Sequence, residues 1–175
     1  ENLNIEIIPI DKFRPKIDKK KIDNESCIFI KKNSTYLNWR YNQHPLNNYN
    51  CFLVNGPKDR ILAYFVVKTY INQKGQKYGE IDDFFIFEEE TKLKIFQKIL
   101  SFSIDHFEEL NHDFISIWTG ENTRSFESLI QNGFKVVDMP TSWGFIILKN
   151  IDPLMSEYLL KKHNWNLKMG DSDVF

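Results

Sequence analysis

The chain has 175 residues, 42% hydrophobic and 27% charged, a length suited to one domain with a substantial core. Its 15 Phe, 7 Tyr and 4 Trp exclude a disordered polymer. The 23 basic and 24 acidic residues leave a net charge of -1, which excludes a dominant nucleic-acid surface.

The segment NIEIIPI (4–10) alternates as a short strand. Residues 12–25 are polar and connecting, with the basic run RPKIDKKK (14–21) as a solvated connector, and the apolar run CIFI follows. Ser34 or Thr35 is placed to cap a short helix that carries Leu37 and Tyr41 on one face and stops at Pro45. NCFLV (50–54) and ILAYFVVKTY (61–70) flank NGPKDR, a hairpin signal, and INQKGQK turns the chain into YGEIDDFFIF (78–87).

From Thr91 to Leu110 the period becomes helical, with Leu93, Phe96, Leu100, Phe107 and Leu110 recurring and Ile95, Ile99 and Phe102 widening the stripe. DFISIW (113–118) reads as a strand. A short helix capped by Asn122 and stopped at Gly133 follows, with Phe126, Leu129 and Ile130 inward. FKVVD (134–138) and WGFIILK (143–149) read as strands, and PLMSEYLLKKH (153–163) as a helix. The expectation is one α/β domain over 1–175, a mixed, mostly antiparallel sheet flanked by helices, with 151–175 as a C-terminal helix and tail packed on it.

This order resembles the GCN5-related N-acetyltransferase (GNAT) fold, the acyl-CoA-dependent N-acyltransferases. NTRSFESLIQNGFKVV looks like the family's late helix leading through Gly-Phe into the next strand. YLNWRYNQHPLNNYNCFLV and the terminal WNLKMGDSDVF resemble a subgroup of acetyltransferase-like proteins found among polysaccharide-associated genes. The resemblance implies acyl transfer from acetyl-CoA or another acyl-CoA to a small amine or amino sugar.

Two positions depart from the family pattern. The glycine-rich loop expected before the long helix is IFEEETKLK here, with Glu88, Glu89 and Glu90 where a diphosphate would approach. The tyrosine that serves as general acid in many members is Leu129. These departures keep an alternative open, a non-catalytic recognition or scaffolding domain that binds no CoA and works beside a neighbouring domain or protein. A donor without a diphosphate is a third reading.

Amine acetylation calls for a carboxylate beside the thioester, and GEIDDFFIF offers Glu80, Asp82 and Asp83. Strand periodicity puts Glu80 and Asp82 on one face and Asp83 on the other, and Asp82 is the preferred base. In the opening helix Tyr36, Arg40 and His44 line one side as substrate or structural residues. Trp39 and Tyr41 are expected to pack on the sheet, and Arg40 to clamp an anionic ligand or pin Asp171 or Asp173 of the tail. Cys27 and Cys51 have no metal spacing and read as reduced structural thiols. Asp171 with Asp173 is too thin a pattern for metal, and His106 and His112 read as boundary histidines. The chain starts at Glu1, so it reads as one domain, complete or part of a longer protein. No leader pattern or membrane-length apolar run is seen, which makes the cytoplasm the expected location.

Overall fold

The computed structural model describes residues 4–18, 30–119, 124–137, 165 and 168–171. The elements are β1 (Glu6–Ile10), α1 (Ser34–Leu37), β2 (Tyr49–Gly56), β3 (Arg60–Ile71), β4 (Lys77–Ile86), α2 (Lys92–Glu109), β5 (Phe114–Ile117) and α3 (Arg124–Gln131). A π turn, Asn38–Asn42, continues α1, and a 3-10 turn covers Met169–Asp171. The strands form one sheet in the order β1-β2-β3-β4-β5. Three pairings are antiparallel and β4–β5 is parallel, which is the expected mixed α/β architecture.

Turn chemistry explains this order. The β2–β3 hairpin closes through Lys58 and Asp59 at φ 57 and 55, and Asn72 closes β3–β4 by accepting from the N–H groups of Lys74 and Gln76. Tight turns make neighbours antiparallel, whereas the 18-residue crossover helix α2 returns β5 parallel to β4.

The sheet is buried on both faces. On one face α2 lays Ile95, Phe96, Ile99, Leu100 and Phe107 onto Phe65, Val67, Ile81 and Phe84. The inward stripe therefore follows Ile95 and Ile99, and the expected terminal members Leu93 and Leu110 are exposed. On the other face Phe13, Ile17, Leu37 and Tyr41 cover Cys51, Tyr64 and Val66. Residues 134–137, expected as a strand, are irregular, with Val136 and Val137 exposed. Asn122, Cys27, Asp173 and the expected elements at 143–149 and 153–163 lie outside the described residues. Among the described residues no helix is long and apolar enough to cross a membrane.

Candidate active site

A β-bulge builds the site. In the β3–β4 ladder Val66 pairs with Asp83 and Val67 with Ile81, so Asp82 is an extra residue on β4. The extra residue reverses the alternation. Ile81, Phe84 and Ile86 all face α2, while Asp83, Phe85 and Phe87 face Tyr41 and Tyr64. Alternation counted from Ile81 on one side and from Phe84 on the other turns both residues between them, Asp82 and Asp83, to the face opposite α2, where the Asp82 charge raises the pKa values of Tyr41, Tyr49 and Cys51. The expected separation of Asp82 from Asp83 does not occur, because period 2 holds only for an unbulged strand.

The neighbouring carboxylates are ligated very differently. Asp83 Oδ1 lies 2.9 Å from Lys32 Nζ, and Oδ2 accepts from Tyr41 Oη at 3.0 Å and Tyr64 Oη at 3.3 Å. Lys32 Nζ is also 2.6 Å from Asp171 Oδ1. Burial by itself would lower the Lys32 pKa, and the two carboxylates outweigh it to leave a net rise. Burial and then Asp83 push both tyrosine hydroxyls far up, so they stay protonated donors.

Asp82 is 0% exposed, and neither of its oxygens has a hydrogen-bond partner among the described residues. Burial first and the Asp83 charge second push its carboxyl up to about 7, with Lys68 opposing. Next along the same face, Lys68 Nζ sits 3.3 Å from Glu80 Oε2, both side chains buried.

The bulge coincides with an opening in the sheet. The β4–β5 ladder runs from Tyr78↔Phe114 to Ile81↔Ile117 and stops, while β4 continues to Ile86. Asp83 and Phe84 pair across β4's other edge with Val66 and Phe65. The Met169–Asp171 turn meets both faces here, with Asp171 joined through Lys32 to Asp83 and Lys168 Nζ 4.0 Å from the Phe84 ring centroid. A segment touching both faces at these residues, with β3 on one edge, lies along the edge where β5 has left.

The opening helix is capped by Asn33, whose Oδ1 accepts from Tyr36 N–H at 2.8 Å, rather than by Ser34 or Thr35. Its Ser34 is instead held from outside, with Oγ donating to Asp18 Oδ2 at 2.8 Å. The π turn then shifts its phase, since Gln43 N–H donates to Asn38 O, five residues back. Tyr41 enters the site at 2% exposure, whereas Trp39 is 61% exposed and stacks only obliquely on Tyr36. Trp39 therefore does not pack on the sheet as expected. Tyr36 is half-buried, and burial raises its pKa against the opposing Lys32 charge. Arg40 projects its charge toward Asp82 and Tyr49. His44 lies beyond the helix, and its Nδ1 accepts from the N–H groups of Leu46 and Asn47, tying down the loop before β2. The tail carboxylate Asp171 is taken by Lys32, a residue that stands in no motif of the sequence. Tyr64 was equally hidden inside an apolar strand.

The connection before α2 carries no glycine, and its glutamates are engaged with their neighbours. Glu88 pairs with Arg60, and Glu89 Oε2 is 3.1 Å from Lys92 Nζ. Backbone amides behind three carboxylate side chains do not fit a diphosphate cradle. Leu129 is buried in the core between α2, α3 and the sheet.

Neither the family models nor the curated proteins compared with this chain match it. Solved structures do. An acetyltransferase from Trypanosoma brucei superposes with a TM-score of 0.60 at 10% identity, covering 81% of this chain and 100% of its own. Glucosamine-6-phosphate N-acetyltransferase from Arabidopsis thaliana gives 0.55 at 13% identity, covering 85% and 99%. A GNAT family acetyltransferase from Staphylococcus aureus gives 0.55 at 19% identity, covering 83% and 98%. The chain shares the fold of these acetyltransferases.

Proposed function

We propose that this domain transfers an acyl group from acyl-CoA, or a related acyl thioester, to a small amine or amino sugar, with Asp82 as general base. One observation carries this reading: a buried carboxylate without a hydrogen-bond partner among the described residues stands at the bulge where β4 and β5 part, with its pKa pushed up to about 7. A base titrating near ambient pH combines a useful deprotonated fraction with a real appetite for protons. An acceptor amine must shed a proton to attack a thioester, and an Asp82 oxygen is free to take it. The donor supplies the activated carbonyl: as the C–N bond forms the thioester C–S bond breaks, and the departing thiolate takes up one proton to leave as the free thiol. Asp83 is committed to Lys32 and two tyrosines and serves as a fixed charge. The Arabidopsis protein named above acts on an amino sugar by its name, which favours that acceptor class by analogy of fold.

The donor's diphosphate is the poor fit. The pairs Glu88–Arg60 and Glu89–Lys92, with Leu129 at the family's acid position, favour a second reading, a recognition or scaffolding domain that binds no CoA.

Isothermal titration with acetyl-CoA, and in parallel with free CoA, separates the two. Micromolar binding, followed by a loss of about 10²–10⁴-fold in amine acetylation for Asp82→Asn, supports transfer. No heat at millimolar ligand removes the CoA-dependent enzyme and leaves the recognition domain.

A further inference from the structure

Lys32 is a buried cation of the site that the proton transfer just described does not use. Its side chain is 6% exposed, and its ammonium bridges carboxylates from two distant parts of the chain, Asp83 on β4 and Asp171 in the C-terminal turn. We propose that Lys32 is the positioning residue of the site: it saturates Asp83, which reserves Asp82 as the proton acceptor, and it fastens the Met169–Asp171 turn along the open edge of β4.

The first half of this assignment follows from what faces each carboxylate. Asp82 feels Glu80 and Asp83 from its own strand, Lys68 from β3 and Arg40 from the opening helix, and its charge acts on Tyr41 and Tyr49. Lys68 is engaged with Glu80. Asp83 instead has an ammonium on one oxygen and two hydroxyl donors on the other. The tyrosines bring dipoles, and Lys32 brings the charge. Without it Asp82, Asp83 and Asp171 would crowd a low-dielectric face, and the proton would spread over the group instead of residing at one site.

The second half follows from the edge geometry. The turn is internally closed by Lys168 N–H donating to Asp171 Oδ2 at 2.8 Å and Asp171 N–H donating to Lys168 O at 3.0 Å. That leaves Asp171 Oδ1 for Lys32. Met169 beside it is buried at 4%. One ammonium thus holds both the anion beside the base and the wall beside the gap.

The assignment rests on Asp82 being the base, but its test needs no acyl donor, so failure to bind CoA leaves it fully testable. The carboxyl carbons of ¹³C-aspartate-labelled full chain are titrated by NMR in wild type, Lys32→Gln and Lys32→Arg, with hydrogen exchange followed over 168–171. In Lys32→Gln the Asp82 midpoint is expected to rise by about 1 unit or more, and exchange over the turn to accelerate at least about tenfold. Lys32→Arg, which keeps the charge, should stay near wild type. A merely structural lysine would alter exchange and leave the midpoint in place, and an unmoved Asp82 midpoint in the Gln variant overturns the assignment. If the Gln variant does not fold, Lys32→Met carries the test, because it removes the charge and keeps an unbranched side chain in the buried site. An upward move of the midpoint then supports the assignment, and an unmoved one overturns it.

Discussion

A carboxylate leaving water is stable as the anion only where cations and donors replace its hydration. Asp83 has that replacement, whereas Asp82, next to it, has no hydrogen-bond partner among the described residues and only the more distant charges of Lys68 and Arg40. Burial raises Asp82 from 3.8 to about 7, so the folded state keeps a proton that the unfolded state releases in between. The resulting penalty is absent at acid pH, grows as pH rises from about 4, and is complete above about 7, reaching on the order of 4 kcal/mol. Asp82→Asn cannot ionise and escapes it. Urea denaturation from about pH 5 to about pH 8.5 should therefore show the Asn variant gaining on wild type until about pH 7 and holding a constant lead above it. A lead that does not change with pH would mean that Asp82 is not the buried titrating group. Cys51 marks how apolar this face is, since burial pushes its thiol up to about 12 and its Sγ lies 3.2 Å from Asn42 Oδ1.

Two elements decide how these residues meet, and both are irregular. The β4 bulge turns Asp82 and Asp83 onto one face, and the π turn aims Tyr41 inward while leaving Trp39 in solvent. Asn38 anchors that turn by accepting from Phe13 N–H at 2.8 Å and donating to Phe13 O at 2.9 Å. Regular periodicity read from the sequence fails at the bulge, although it holds for Leu37 and Tyr41 at the π turn. One extra residue in a strand or one wider helical turn changes the phase of all that follows, and no residue type announces it. The regular parts were legible. Leu37 and Tyr41 share a buried face, and the β2–β3 hairpin closes where Asn-Gly-Pro-Lys-Asp indicates. The seat of α2 rests on Gly79, where an added Cβ would fall 2.5 Å from Phe107 Cδ1. Gly79→Ala should lose about 1–3 kcal/mol by overpacking, read as a lower urea midpoint with unchanged slope. An unchanged midpoint would show that α2 can shift at no cost.

Across the whole molecule, the C-terminal turn, the segment carrying Lys32 and the middle of β4 meet only in the folded chain. Asp171→Ala removes one charged partner from a buried ammonium and is expected to destabilise by about 1.5–3 kcal/mol. Retained stability in thermal and urea unfolding would mean that the turn is not held to β4 through this bridge. The order of strands and the long crossover were determined by the sequence alone, because turn chemistry and hydrophobic period are local properties. So was the absence of glycine before α2, which bears directly on donor binding. The tertiary structure alone decided that Asp171 binds Lys32, that Asp83 is saturated and that Asp82 has no hydrogen-bond partner among the described residues. Ion pairing and desolvation depend on groups brought together from remote parts of the chain, and that information appears only when the chain closes on itself.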